Sequence, residues 1–492
     1  MARALQPWRT RGSIQRTTLP GKIRLLAAEH RVPALVKRTP VRGFDAGGAG
    51  TLGSPRPFPM PCSRRRFTLG ALAWCAVGRA SAAPLDGWER GIATADLRGF
   101  RPEPGPGPGS VRLIGLPAPG PGAPAAPPYA WATFPAPAGG WDLSRRSVLG
   151  ATVTNRGAEP ADLILWAVGA SGWDAVPAAA RLAPGETCVL ECPLRESFPD
   201  GTPKLDPGRV AALELILRGR PRGPVALEIS AVHAAGDAPA WVAPAGRVAV
   251  PEVTDESPAP GRRVRVRLAG ERQPALHAVL HLPEDWTPGR RWPLVVEYPG
   301  NLFHVPGCRS PGLPEQGVIA AGMTLGRGSI CLGLPFVDRR AGRIAESGWG
   351  NPDETVAYAL AMMAQVRDEW GADPANTVLT GFSRGALACG YIGLRDDRIA
   401  AWWKGFHACQ HYDGDGWNGA TWEGAMARAR RFRGRSVFQT DNSAERFQPL
   451  MDAMGVPATF VRSGLGAHAT AMFLDDRPST RQLRAWYRDL IG

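Results

Sequence analysis

In the C-terminal half of the chain, short apolar runs alternate regularly with helical segments, which leaves few folds open. The run "WPLVVEYPG" at residues 292–300 and the run "SICLGLPFV" at residues 329–337 are almost continuously apolar. Such runs are typical of parallel strands that are covered on both faces. Residues 353–370 show helical periodicity instead. The alternation predicts a doubly wound, mostly parallel α/β sheet over residues 261–492.

The N-terminal half has a different pattern. Residues 129–235 contain several short strand-like segments separated by turn residues, which predicts an antiparallel all-β sandwich. Proline and glycine dominate residues 83–128, apart from a strand-like run at 111–116, and residues 236–260 are rich in alanine and proline. We expect both of these segments to be linkers, the first with one short strand.

The basic charge of the chain is concentrated at its start. The formal net charge is +14, which by itself suggests a nucleic-acid or membrane partner. Residues 1–82 contain 15 Lys or Arg and 2 Asp or Glu, whereas the remainder contains 43 basic and 42 acidic residues. Nucleic-acid binding therefore loses its main support. We expect translation to start at Met60, so that residues 1–59 are an upstream extension; a disordered basic tail is the alternative.

Residues 60–82 have the pattern of an export signal. Arg64 and Arg65 precede a short apolar run and an Ala-Ser-Ala cleavage sequence that ends at Ala82. The apolar run is too short to span a bilayer. The order Ser-Arg-Arg-x-Phe resembles a twin-arginine signal. The pattern predicts a periplasmic or secreted protein, cleaved after Ala82, without a membrane anchor.

The pattern Gly381-Phe382-Ser383-Arg384-Gly385 lies between a strand-like segment and an apolar helix-like segment. A G-x-S-x-G match arises easily in a chain with 60 glycines, but the strand–turn–helix setting is specific to a nucleophile elbow. The glycines leave space for a sharp turn that exposes the Ser383 hydroxyl, and the helix N-terminus favours developing negative charge. The sequence therefore predicts that Ser383 is a nucleophile.

With this elbow, residues 262–492 resemble the α/β-hydrolase superfamily, in which the triad follows the chain order Ser, Asp or Glu, His. The resemblance implies that His468, in the Gly-rich loop after the last predicted strand, is the base. It implies that Asp441, directly after the preceding strand, is the acid, with Asp413 as the alternative. Two further carboxylates stay open as the acid: Glu445 and Asp415.

The same resemblance implies an oxyanion hole made of two backbone N–H groups. We expect one from Arg384 and one from Gly300 or Asn301, since the proline before them has no N–H. The Arg384 side chain is a candidate clamp for an anionic substrate group, and a solvated or ion-paired arginine is the alternative. His411 and Trp417 are the other candidate substrate-binding residues, because an exposed tryptophan can stack on a sugar ring.

Six cysteines follow the predicted signal peptide, and none has C-x-x-C spacing. We therefore expect no metal site, we predict no disulfide, and the chemistry requires no cofactor.

Together these features predict an exported serine hydrolase. The order of "WDLS", "VTNRG" and "LAPGE" segments in the sandwich region resembles the jelly-roll accessory domains of secreted carbohydrate-active enzymes. That resemblance implies a carboxylesterase acting on a carbohydrate-linked or other small ester. The alternatives are an exported peptidase of the prolyl-oligopeptidase type and a non-catalytic carbohydrate-binding protein.

Overall fold

The computed structural model describes residues 82–116, 129–169, 174–219 and 224–492. The predicted signal peptide lies outside the described residues except for Ala82, as do all residues before it. All described residues belong to one compact unit, Trp74–Gly492. Within them, no helix combines the length and the apolar character that crossing a membrane requires.

The N-terminal part consists of antiparallel strands and one short helix. In chain order these are β1 (Ala83–Pro84), α1 (Trp88–Ala93), β2 (Asp96–Arg98), β3 (Phe100–Pro104), β4 (Val111–Gly115), β5 (Tyr129–Pro135), β6 (Arg146–Asn155), β7 (Ala161–Gly169), β8 (Ala175–Leu182), β9 (Thr187–Pro193), β10 (Val210–Arg218) and β11 (Ala226–Asp237). One sheet has the order β3-β4-β11-β6-β9, with β1 also beside β11, and the other has the order β2-β5-β10-β7-β8.

These two sheets enclose a shared apolar core, because alternate residues of each strand face inward. On β7, Leu163 and Leu165 belong to this core, whereas Ile164 and Trp166 belong to a second buried cluster. Leu302, from the C-terminal part, packs in that second cluster. Strand β7 is therefore covered on both faces, which explains its continuous apolar sequence.

The C-terminal part contains the remaining strands and helices. They are β12 (Val253–Thr254), β13 (Arg263–Val266), β14 (Ala278–His281), β15 (Trp292–Tyr298), β16 (Phe303–Val305), β17 (Cys308–Ser310), α2 (Ile319–Thr324), β18 (Ile330–Gly333), β19 (Val337–Asp338), β20 (Arg343–Ile344), α3 (Pro352–Trp370), β21 (Ala372–Phe382), α4 (Arg384–Tyr391), α5 (Asp397–Ala400), β22 (Gly405–Cys409), α6 (Trp422–Ala429), β23 (Ser436–Thr440), α7 (Ala444–Ala453), β24 (Ala458–Val461) and α8 (Pro478–Ile491).

Nine of these strands form one mixed, largely parallel sheet with the order β12-β13-β14-β18-β15-β21-β22-β23-β24. Only β14 runs antiparallel to its neighbours within this sheet. On β15, Leu294 and Val296 face one buried cluster and Val295 faces another, so both faces of the sheet are covered. The predicted largely parallel sheet is confirmed. Strand β21 lies near its middle and directs its carboxyl end toward the predicted elbow.

The structure corrects the first predicted linker. Within residues 83–128, strands β1 to β4 are part of the two N-terminal sheets, so this segment is not a linker in its described residues. Prolines 102 and 104 fit in β3 because β3 is an edge strand, where a missing N–H costs no ladder hydrogen bond. Residues 117–128 lie outside the described residues.

The second predicted linker, residues 236–260, is also packed. Val248 donates its backbone N–H to the carbonyl of Leu474, and Val250 is buried in the C-terminal core. Strand β12 pairs in parallel with β13. An alanine- and proline-rich composition here accompanies an ordered segment that lies along the C-terminal part.

Candidate active site

Ser383 occupies a strained backbone position between β21 and α4. Its φ is 54° and its ψ is −116°, a conformation that is costly for a residue with a Cβ atom. Its N–H donates to the carbonyl of Cys409 at the end of the neighbouring strand β22. Such strain persists only where the surrounding structure imposes it, and it is concentrated at functional sites.

The two glycines of the elbow are required by close backbone contacts. A Cβ atom at Gly381 would lie 2.2 Å from the carbonyl carbon of Gly385. A Cβ atom at Gly385 would lie 2.0 Å from the carbonyl oxygen of Tyr298 on β15. The turn can therefore be this tight only with glycine at both positions.

Ser383 faces a cavity of about 240 Å³. The cavity brings together most of the residues that the sequence nominated, together with the hairpin formed by β16 and β17. Its lining consists of Asn301, Phe303, Cys308, Ser310, Phe382, Ser383, Arg384, Leu387, His411, Trp417 and His468.

His468 lines the same cavity as Ser383. Its ring centroid is 4.5 Å from that of Phe382 and 5.6 Å from that of His411. The residue as a whole is exposed, but the protein packed around the ring lowers the pKa of His468 to about 4, and His411 contributes in the same direction. The imidazole is therefore neutral at neutral pH and able to accept a proton.

Asp441 follows β23, as the sequence predicted, but its carboxylate is held by other partners. Oδ1 accepts the backbone N–H of Ser463 at 2.7 Å, and Oδ2 accepts the Ser463 hydroxyl at 2.6 Å. Gln410 donates to Oδ2 at 3.3 Å and to the carbonyl of Ala467 at 2.9 Å, which links Asp441 to the residue before His468. Within the described residues, no hydrogen bond joins the Asp441 carboxylate to the His468 ring.

The carboxylate of the alternative acid, Asp413, forms an ion pair with an arginine. Arg428 on α6 binds its carboxylate through two hydrogen bonds of 2.8 Å each. A Cβ atom added at Gly390 would lie 2.5 Å from that of Asp413, so the carboxylate packs against α4. Burial raises the pKa of Asp413, against the opposing effect of Arg428. The structure therefore argues against Asp413 as the acid, and Arg428 is the reason.

His411, at the cavity wall, is paired with a carboxylate, which the sequence did not predict. His411 Nδ1 lies 2.6 Å from Asp415 Oδ2, and Asp415 Oδ1 accepts the backbone N–H of Trp417. This pairing fixes the ring orientation of His411 at the cavity wall. The spacing of four residues between His411 and Asp415 was the available signal. Trp417 is half-buried, and its ring packs edge-on against Trp349 at 5.3 Å.

The prediction that the Arg384 side chain binds substrate is wrong. The residue is only 1% exposed, and its guanidinium donates to four backbone carbonyls and stacks over Phe336 at 4.0 Å. The prediction for its backbone N–H, as an oxyanion donor, is separate from the side chain. The Arg384 N–H is the first of α4 and has no acceptor one turn earlier in the helix.

The second oxyanion donor was expected from Gly300 or Asn301. Asn301 lines the cavity, and within the described residues its backbone N–H has no acceptor. Gly300 is buried and its backbone N–H likewise has no acceptor among the described residues, but Gly300 does not line the cavity. The geometry therefore favours Asn301 of the two.

The N-terminal sheets contribute a wall that the sequence did not predict. A smaller cavity of about 30 Å³ shares Cys308, Phe382 and His468 with the larger one. From the N-terminal part it is lined by Trp166, Ala175, Pro177, Phe198 and Lys204. The cleft around Ser383 thus extends to β7 and to the loop between β9 and β10.

Among the described residues, no group of three or more His, Cys, Asp or Glu side chains is placed to hold a metal ion. The six cysteines after the predicted signal peptide are all free thiols in the structure.

No family model and no curated protein matches this sequence. Among solved structures, the AtxE2 isopeptidase matches 47% of this chain and 40% of its own, with 15% identity and a TM-score of 0.33. This chain therefore spans less than half of that protein.

Two hydrolase structures have similar identities to this chain and similar TM-scores. A Rhizomucor miehei esterase matches 47% of this chain and 83% of its own, with 12% identity and a TM-score of 0.32. The acetyl ester-xyloside bifunctional hydrolase from Caldicellulosiruptor lactoaceticus matches 47% of this chain and 98% of its own, with 15% identity and a TM-score of 0.33. The chain is thus similar, over 47% of its length, to structures of esterases and other hydrolases.

Proposed function

We propose that the chain is a serine hydrolase that cleaves carboxylic esters with Ser383 as the nucleophile. The observation that carries this proposal is the strained, positive-φ conformation of Ser383 in a strand–turn–helix setting, at the wall of a cavity shared with His468. A serine held in this way presents its hydroxyl to a bound substrate, and the adjacent helix N-terminus favours negative charge.

The proposed reaction has two steps. The Ser383 Oγ attacks the ester carbonyl carbon while His468 accepts the hydroxyl proton, and the N–H groups of Arg384 and Asn301 stabilise the oxyanion. The tetrahedral intermediate collapses, the bond to the alcohol oxygen breaks, and His468 returns the proton to the leaving alcohol. Water then attacks the acyl-enzyme by the same route, releasing the acid and restoring Ser383.

The neutral state of His468 supports its role as the base, because only the neutral imidazole accepts a proton. We propose Asp441 as the group that orients it. Its carboxylate is anchored by Ser463, and Gln410 connects it to the loop that carries His468. Catalytic hydrogen bonds are often long in unliganded enzymes, so a direct contact between Asp441 and His468 is expected when substrate is bound.

The test of this function is hydrolysis of p-nitrophenyl acetate and butyrate by the purified protein and by Ser383→Ala. We expect Ser383→Ala to lose turnover by at least about 10³-fold while remaining folded. Ser230→Ala is the matched control, because Ser230 lies on β11 of the sandwich. Equal rates for the wild type and Ser383→Ala would overturn the proposal.

We propose a carbohydrate-linked ester as the substrate. The jelly-roll resemblance of the N-terminal sequence supports this proposal, as does the position of Trp417 at the cavity, since sugar rings stack on aromatic faces. A panel of acetylated sugars, uronate esters, lipid esters and peptides decides the bond and the substrate. Preference for a peptide would instead support the peptidase alternative.

We also propose export by the twin-arginine route with cleavage after Ala82. Strand β1 begins at Ala83, so this cleavage would leave the described fold intact. Sequencing the N-terminus of the mature protein from the periplasm or medium should give Ala83. A mature protein that retains Arg64 and Arg65 would contradict export by this signal.

A further inference from the structure

We propose that the Arg384 side chain is a positioning residue of the oxyanion hole, acting through the peptide that joins Gly300 to Asn301. This inference rests on the proposed esterase function. It assigns two roles to one residue: the backbone N–H of Arg384 is one oxyanion donor, and its guanidinium holds the second donor in place.

The guanidinium ties together three loops around the cavity. Nη2 donates to the carbonyl of Gly300 at 2.7 Å and to that of Gly312 at 3.1 Å. Nη1 donates to the carbonyls of Ala345 and Gly348 at 2.8 Å each. These four acceptors come from segments after β15, β17 and β20, so one side chain sets the relative positions of all three.

The contact with Gly300 also determines where the next N–H points. In a planar trans peptide, the carbonyl oxygen of one residue and the N–H of the next are directed to opposite sides. Because the guanidinium holds the Gly300 carbonyl, the Asn301 N–H is turned away from Arg384 Nη2. Asn301 lines the cavity together with Ser383, which is the side on which an oxyanion donor is needed.

A second pair of contacts restrains the same peptide from its other end. Asn301 Oδ1 accepts the backbone N–H of Gly348 at 2.9 Å, while Arg384 Nη1 binds the carbonyl of Gly348. The Asn301 amide also donates to Ser347 Oγ at 3.3 Å. The donor peptide is thus fixed to the loop after β20 both directly and through Arg384.

Burial and charge strengthen this arrangement. The guanidinium is almost completely buried, and although burial lowers the pKa of Arg384 to about 9, the group is still charged at neutral pH. Hydrogen bonds from a charged donor are shorter and stronger than neutral ones. A carbonyl polarised in this way makes the N–H of the same peptide a better donor, because hydrogen bonds in a chain reinforce one another.

The test compares Arg384→Lys with Arg263→Lys. Arg263 is also buried, 4% exposed, and donates to two carbonyls, those of Glu315 and Gly317, at 2.7 Å each, but it does not line the cavity. A single ammonium cannot hold four carbonyls in the arrangement of the guanidinium fork. Both variants should lose thermal stability, which makes Arg263→Lys the control for a purely structural effect.

The readouts are kcat, KM and the inhibition constant of a trifluoromethyl ketone, which forms an oxyanion adduct with the serine. For Arg384→Lys we expect kcat to fall by about 10- to 100-fold with KM within about twofold, and the inhibition constant to rise in parallel with the fall in kcat/KM. For Arg263→Lys we expect both quantities to stay within about twofold of wild type.

A second variant keeps the inference testable if Arg384→Lys does not fold. Asn301→Ala removes the side-chain contact to Gly348 and should produce the same parallel change in kcat and inhibition constant, but a smaller one. The inference is overturned if the variants at Arg384 and Asn301 match Arg263→Lys in both readouts. A wild-type protein without Ser383-dependent hydrolysis would instead overturn the proposed function, and this inference with it.

Discussion

At the scale of single residues, the chemistry depends on how neighbouring groups set the protonation of His468. The protein around the ring and the nearby His411 both lower the pKa of His468, to about 4 from an ordinary value of 6.5. The base is therefore protonated, and inactive, only under acidic conditions. We expect the acid limb of the kcat/KM profile to have its inflection near pH 4.

Substitution of His411 tests the same effect in the opposite direction. His411→Gln removes one of the two causes that lower the pKa of His468, so the inflection should move upward, toward 6.5. The measurement is kcat/KM against pH for both proteins at constant ionic strength. An inflection that stays in place in His411→Gln, or moves to lower pH, would contradict this role of His411.

Three carboxylates near the site differ in their partners, which predicts an order of effects. Asp441→Asn should lower kcat by on the order of 10²- to 10⁴-fold if Asp441 orients His468. Asp413→Asn should mainly reduce stability, because it breaks a bidentate pair with Arg428 whose partners are 6% and 15% exposed. Steady-state kinetics and thermal unfolding of both variants, and of Asp415→Asn, separate the two effects. A larger loss of kcat in Asp415→Asn than in Asp441→Asn would transfer the acid role to Asp415.

The sequence was sufficient to predict that Ser383 lies on a tight turn between a strand and a helix, because the two glycines, the strand and the helix are its neighbours in the chain. The sequence was not sufficient to predict the burial of the Arg384 side chain or the ion-pair partner of Asp413. Arg384 is buried by loops that are 36 to 84 residues away in the chain, and Asp413 is paired with a residue 15 positions later. Partners at such separations are set by the tertiary fold and leave no local signal.

At the scale of elements, the hairpin of β16 and β17 connects the cavity to the N-terminal sheets. Arg309 on β17 forms an ion pair with Glu214 on β10, and their side chains are 8% and 2% exposed. His304 on β16 lies against the rings of Tyr129 and Trp131 on β5. The hairpin is therefore held between the two parts of the chain while Cys308 and Ser310 line the cavity.

The buried pair predicts a large loss of stability on removal of one partner. Glu214→Ala leaves the Arg309 charge buried without its carboxylate, and it should lower the free energy of unfolding by about 3–5 kcal/mol. Glu256→Ala is the control, because the pair of Arg262 and Glu256 is exposed and should contribute at most about 1 kcal/mol. Urea unfolding measures the change in the free energy of unfolding for each of the two variants. Equal effects of the two substitutions would show that the hairpin is not anchored through Glu214.

At the scale of the whole molecule, the two N-terminal sheets and the C-terminal part share buried surface. Leu302 packs against the outer face of the sheet that contains β7, and ion pairs join Arg98 to Glu346 and Arg477 to Asp200. The composition of residues 83–128 and 236–260 predicted separate domains on linkers. The prediction of linkers was wrong because proline is also compatible with an edge strand and with a segment that packs without regular structure.

This shared surface predicts cooperative unfolding of the two parts. We expect a single calorimetric transition whose midpoint coincides with the loss of hydrolytic activity, since the cavity needs both walls. Two well-separated transitions, with activity lost only in one, would show that the sandwich is an independent domain.

The most direct measurement is covalent labelling with a fluorophosphonate, followed by peptide mapping, because this reagent reacts with an activated serine and not with an ordinary one. We predict a stoichiometric adduct on Ser383 in the wild type, no labelling of Ser383→Ala, and strongly reduced labelling of His468→Ala. An adduct on another serine, or equal labelling of wild type and Ser383→Ala, would contradict the assignment of Ser383 as the nucleophile.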